Sequence, residues 1–323
     1  MQEYQQKGQF EIARESADIS FDRFYREYFL PERPVIIEGI AKDHPARTTW
    51  NRETLHKMLS REPSSAIFAN WYVVSRGAFD GDYPEPEIVS RFYGDDDVWK
   101  KDPNIRVWIH RKGNESNWHY DGVESVFNLQ VTGAKEWWLA SPATRLISYP
   151  FTGFSLIGDA ETNRKVLEGK TWTRCVVNAG DMLYLPPLWY HRVISLEEEN
   201  LNLTWAFTKK KTEVYTETLG RELDRWALDR FFAENRYAFV RNSYEKLMAL
   251  LPPYVRIRYH HPKMVEAPYK VTPWRIAKRL IVEWATLPYA LAHAKRIAST
   301  VGEKDRAEPL DETLRPDKTG KAA

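Results

Sequence analysis

The stretch SNWHYDG, residues 116–122, sets a histidine and an aspartate two positions apart, His119 and Asp121. On extended backbone successive side chains alternate, so this pair projects to one side. A second stretch, NAGDMLYLPPLWYH (178–191), delivers another histidine, His191, 72 residues after His119. It opens on a Gly180-Asp181 turn, runs through an apolar strand, and reaches His191 just beyond Pro186-Pro187. His-x-Asp alone is common by chance, and a lone histidine is more often structural. The two stretches gain weight together because the text around them also reads as strands.

Those strands are IRVWIHR (105–111), SVFNLQV (125–131), EWWLASP (136–142), RCVVN (174–178), DMLYLP (181–186) and NLNLTWAF (200–207), with turns at Gly113, Gly133 and Gly180. Many short strands separated by glycine turns predict a sandwich or barrel. Two imidazoles and a carboxylate on one face of an ion leave the opposite positions open, which is the facial triad of non-haem Fe(II) oxygenases.

Upstream, Asp18 or Ser20 is placed to cap a helix through Tyr28, PVIIEGI (34–40) reads as a strand, and Thr49 or Asn51 starts a helix through Leu59. A strand is expected at Ala66–Val74, with loops and short helices over the rest of 61–104. After 209 the period becomes helical: residues 217–251 read as one helix ended by Pro252-Pro253, and residues 273–299 as a second, interrupted near Pro288. The charged tail from Gly302 lacks large apolar residues and reads as disordered. The expected division is therefore 1–208, 209–301 and 302–323.

Composition limits the alternatives. The single cysteine, Cys175, excludes an internal disulfide and a cysteine-based zinc site, and agrees with a cytoplasmic location. The N-terminal text shows no signal peptide, and no run approaches the roughly 20 apolar residues of a membrane span. Net charge is +2, but residues 1–208 hold 24 Lys+Arg against 30 Asp+Glu, and residues 209–323 hold 23 against 15. The sign changes at Lys209-Lys210-Lys211.

The motifs resemble the cupin-like JmjC family, relatives of the asparaginyl hydroxylase of hypoxia-inducible factor. The matching residues are Ser116-x-x-His119-x-Asp121, then Gln130-Val131-x-Gly133-x-Lys135 with Leu139 and Pro142, then Gly180, Asp181, Leu183, Pro186 and His191; residues 34–40 match the family's first strand. The resemblance spans about residues 20–208. It implies a mostly β core, a double-stranded β-helix of cupin or jelly-roll type, with flanking N-terminal helices and a C-terminal helical region. It also implies Fe(II) on His119, Asp121 and His191, with 2-oxoglutarate and O2 completing the site.

Within that resemblance Lys135 takes the carboxylate of 2-oxoglutarate, since a buried charge without a partner is costly. Ser116 would add a hydroxyl to the same carboxylate. Trp108 and Trp205 are expected against the metal or co-substrate, and Thr204 is preferred over Asn202 as the hydrogen-bonding residue of its strand. The family's asparagine falls on Val126 here, with Asn128 as the stand-in on the same face. The implied activity is hydroxylation of a C–H bond in a protein side chain or small molecule, releasing succinate and CO2. A binding cupin without catalysis, and a metal-dependent cupin enzyme that does not use 2-oxoglutarate, are the alternatives.

The relatives' habit of pairing through helices after the barrel implies a homodimer through the C-terminal helices. The second helix mixes Trp274, Ile281 and Trp284 with Arg275, Lys278 and Arg279. An ordinary amphipathic helix is the expectation there, ahead of a membrane or nucleic-acid contact. His260-His261 read as surface residues.

Overall fold

A computed structural model describes residues 10–59, 65–68, 71–76, 79, 84–94, 99–101, 104–144, 146–156, 160–209, 217–250 and 272–300. The N-terminal part runs β1 (Ala13–Ser16), α1 (Phe21–Phe24, continuing as a wider turn to Phe29), β2 (Val35–Glu38), α2 (Ala46–Thr49) and α3 (Arg52–Leu59). It continues through β3 (Ser65–Phe68), β4 (Trp71–Ser75), α4 (Glu87–Tyr93) and β5 (Trp99–Lys101). The barrel then follows as β6 (Asn104–His110), β7 (Glu124–Thr132), β8 (Ala134–Ala140), α5 (Ala160–Leu167), β9 (Thr173–Asn178), β10 (Met182–Leu185), β11 (Tyr190–Ser195) and β12 (Asn200–Lys209). Helices α6 (Glu217–Glu234), α7 (Ala238–Ala249) and α8 (Pro273–Thr300) close the described chain.

A large sheet is ordered β1-β2-β10-β7-β12-β6-β4-β3, with β5 on the outer end of β12, and a small sheet is ordered β11-β8-β9. Alternation assigns each face. On β12, Leu201, Leu203, Trp205 and Phe207 join Phe24, Phe29, Leu55 and Phe92 from the N-terminal helices in one buried cluster. That is the outer face of the large sheet, and the helices cover it. The inner face carries Ile36, Val126, Leu183 and Leu185, which pack on Trp137, Leu139 and Val177 of the small sheet. Two sheets closed over such a core make the double-stranded β-helix expected from the motifs.

The outer side of the small sheet is covered by the chain's later parts: Trp138 and Ala140 cluster with Tyr149, Trp172, Leu223, Ala290 and Ala294. Helices α6 and α8 thus pack on the barrel.

Three local expectations change. The Ala66–Val74 strand is two strands, β3 and β4, paired antiparallel. The single helix over 217–251 breaks after Glu234, where the Asn235 side chain accepts from the Tyr237 N–H at 2.8 Å; such a side-chain bond competes with the helical ladder. Pro288 does not interrupt α8, which runs through it. Burial of Leu287, Ala290 and Ala294 around the proline holds the helix together despite one lost N–H bond. The tail from 302, and His260-His261, lie outside the described residues.

Candidate active site

His119 and His191 meet across a backbone bridge in which each N–H donates to the other's carbonyl, at 3.0 and 2.7 Å. Their rings lie 4.1 Å apart between centroids. His119 Nδ1 sits 2.6 Å from the Asn117 carbonyl and His191 Nδ1 sits 3.0 Å from the Trp189 carbonyl. A carbonyl can only accept, so both rings carry their proton on Nδ1 and offer the Nε2 lone pair inward. There Asp121 faces them, with carboxylate oxygens 3.6 Å from His119 Nε2 and 3.7 Å from His191 Nε2. One donor atom from each residue lies within 4.8 Å of the others.

Burial first, and the facing His191 ring second, hold His119 down to about 4, so it is neutral as a ligand must be. Phe154 stacks on His119 at 5.4 Å, and Trp137 lies 5.7 Å from His191, which fixes both rings. The donor set of two imidazoles and one carboxylate fits Fe(II).

Lys135 stands on the same inner face. Strand β8 pairs with β11 so that Leu139 faces His191 and Lys135 faces Ser195. Only 2% of Lys135 is exposed. Its Nζ lies 2.9 Å from His110 Nδ1 and donates to Asn202 Oδ1. Both partners are neutral, and among the described residues no carboxylate pairs with it. Burial pushes the amine down to about 7. Such a lysine is a site waiting for an anion.

Around it the inner face of the large sheet is polar. Asn202 Nδ2 donates to Asn128 Oδ1 at 3.0 Å, and Asn128 Nδ2 donates to Thr204 Oγ1 at 2.9 Å. Trp108 Nε1 donates to the same hydroxyl at 3.0 Å. The structure therefore brings Trp108, Asn128, Lys135 and Thr204 into one network.

Two expected residues lie elsewhere. Trp205 points into the cluster under the N-terminal helices, because it alternates with Thr204 on β12. The Ser116 hydroxyl accepts from the Val193 N–H at 3.0 Å, at the strand edge, instead of joining the Lys135 network. A third point reverses: Asn202 and Thr204 are two apart and share one face, so both take part. His110 was missed. Its signal was present, since it stands two residues after Trp108 on the same strand. Val126 lies in the apolar core between the sheets, one step along the face from Asn128.

Residues 57–213 match the family model described as a cupin-like domain, and the fold and the site agree with that likeness. Curated relatives include an arginine-specific demethylase, JMJ22, of Arabidopsis thaliana, 26% identical over 56% of this chain and 43% of its own length. The mouse tRNA wybutosine-synthesizing protein 5 is 28% identical over 37% of this chain and 36% of its own. Among solved structures, the Escherichia coli ribosomal oxygenase YcfD aligns with a TM-score of 0.37 at 18% identity, over 91% of this chain and 73% of that one. The chain spans about half, or less, of the length of the curated relatives it matches. Among the described residues no helix is long and apolar enough to cross a membrane.

Proposed function

We propose that this chain is an Fe(II)- and 2-oxoglutarate-dependent oxygenase that hydroxylates a C–H bond in a protein side chain or a small molecule. His119, Asp121 and His191 hold the iron. Lys135 pairs with the distal carboxylate of 2-oxoglutarate, and Asn128, Asn202, Thr204 and Trp108 orient it. When bound, iron with 2-oxoglutarate and O2 supplies oxidation of an unactivated C–H bond, one oxygen atom going to the substrate and the other to succinate as CO2 leaves. The chain's own part is to bind, orient and exclude water: apolar residues between the two sheets seal one end of the site, and both ligand rings are held in the metal-binding tautomer.

The observation that carries this reading is the buried Lys135 with two neutral partners, on the face that also presents His191. A metal-dependent cupin enzyme that does not use 2-oxoglutarate leaves that lysine unexplained. A binding cupin leaves the complete donor triad unexplained.

The test is succinate formation from 2-oxoglutarate with Fe(II) under air. The intact chain is expected to form succinate, and His119→Ala and Asp121→Ala to form none. Turnover like the intact chain's in either variant contradicts the assignment. Hydroxylation adds one oxygen to the substrate mass, whereas N-demethylation releases formaldehyde, and the relatives' names do not choose between them.

Self-association through α6 and α7 is part of the same reading, supported by the exposure of Phe231 and Phe239; a monomer mass by light scattering at micromolar concentration opposes it. A cytoplasmic site of action fits the lone, mostly buried Cys175, whose thiol burial pushes up to about 12.

A further inference from the structure

Helix α8 presents solvent with an apolar and cationic face. The helix has 28 residues, about 42 Å at 1.5 Å per residue. One side buries Leu287, Ala290 and Ala294, and the two alanines pack in the cluster over the small sheet. The opposite side leaves Trp274 71%, Ile281 65% and Tyr289 55% exposed, and on the flank Trp284, 51% exposed, lies edge-on to Phe151. At 100° per residue Trp274, Ile281, Ala285 and Ala292 fall close to one line along the helix, and all four are exposed. A run of large exposed apolar groups along one face marks an interaction surface rather than scattered exposure.

The charges on that side have one sign. Lys278, Lys295 and Arg296 are exposed. Glu283, the only acidic residue of the helix, is buried and accepts from the Phe151 N–H at 2.6 Å. Arg279 pairs with Glu283, and Arg275 lies 3.9 Å from Asp224 of α6. The inward carboxylates thus neutralise the inward arginines, Arg296 turns its guanidinium to the buried Thr162 hydroxyl, and the outward face of the helix keeps Lys278 and Lys295 with no acid of its own among the described residues.

We infer that this face docks on an anionic lipid surface, with α8 lying parallel to it. Tryptophan and tyrosine settle at the headgroup level, aliphatic groups reach below it, and lysine and arginine meet anionic headgroups. A second copy of the same face would set like charges against each other. A nucleic acid would meet more hydrocarbon than cation.

The intact chain is mixed with sucrose-loaded vesicles of phosphatidylcholine alone or with a quarter phosphatidylglycerol, and pelleted. Pelleting with the anionic vesicles, severalfold above the neutral ones and weakened by salt, is expected. Lys278→Glu with Lys295→Glu should lower it about tenfold or more. Trp274→Ser with Ile281→Ser should lower it at both low and high salt, with circular dichroism and metal-dependent melting unchanged. Failure to pellet with anionic vesicles overturns the inference, as does equal pelleting with neutral ones. If light scattering shows the Trp274→Ser, Ile281→Ser chain losing a dimer that the intact chain forms, a second copy covers the face and the inference fails. Retention of tRNA lost in the Lys278→Glu, Lys295→Glu chain, without vesicle binding, overturns it too.

Discussion

Nζ of Lys135 lies 2.9 Å from Nδ1 of His110, so a buried amine faces a neutral ring where a carboxylate would complete an ion pair. Replacing this lysine separates its two effects. Lys135→Met keeps the buried stem and removes the charge. The metal-free protein should melt at the same temperature or higher, because burying an unpaired cation opposes folding. The KM for 2-oxoglutarate should rise about a hundredfold, the scale of about 3 kcal/mol for removing one partner of a buried pair. A melting curve and a 2-oxoglutarate titration check both; an unchanged KM contradicts the role.

The same lysine gives binding a pH dependence. Its folded-state value, about 7, lies below the ordinary 10.5, so between these limits the unfolded chain holds more protons than the folded one. Stability of the ligand-free protein from this group therefore rises with pH from about 7 to 10.5 and is lowest below 7. Binding a carboxylate recharges the amine and must take up a proton above pH 7. Affinity for 2-oxoglutarate with Mn(II) should fall between pH 7 and 9, by at most about tenfold per unit. Calorimetry in buffers of different ionisation heat reads the proton directly; no uptake at pH 8.5 counts against the assignment.

His110→Phe keeps a ring on the strand and removes the acceptor. Burial first and the Lys135 charge second push the imidazole well below its ordinary value, so it is a neutral acceptor in the intact protein. Loss of one such bond, about 1 kcal/mol, should raise the KM for 2-oxoglutarate about fivefold. Mn(II) affinity, measured by electron paramagnetic resonance, should not change. A parallel loss of metal affinity would show a general collapse of the site instead.

Gly133 joins β7 to β8 two residues before Lys135, at a φ of +75°. A Cβ there would sit 2.2 Å from the Glu199 carbonyl oxygen and 2.6 Å from Asn200 Oδ1. Gly133→Ala should cost about 3 kcal/mol or more, strain and clash together. Gly169, at φ +66° with nothing within 4 Å, isolates the backbone strain, and its alanine variant should cost about 1 kcal/mol. Urea midpoints compare the two, and equal losses would refute the clash.

Much of this protein was readable residue by residue. A two-residue spacing puts His119 and Asp121 on one side, Gly133 marks the turn that must precede Lys135, and alternation marks the barrel strands. Each of these is a local consequence of backbone geometry and turn chemistry, so each survives without knowing what packs where.

Tertiary structure decided the rest. Lys135 meets His110 and Asn202, 25 and 67 residues distant, only because two sheets close face to face. Period two groups Trp205 with Leu203 and Thr204 with Asn202, but it cannot tell which group is inside; the N-terminal helices settle that by covering the first. The Ser116 hydroxyl turns to the Val193 backbone because β11 arrives beside it, and α8 runs through Pro288 because the barrel buries its far side. These outcomes depend on which surfaces exclude water from one another, a property of the assembled chain and not of any segment read alone.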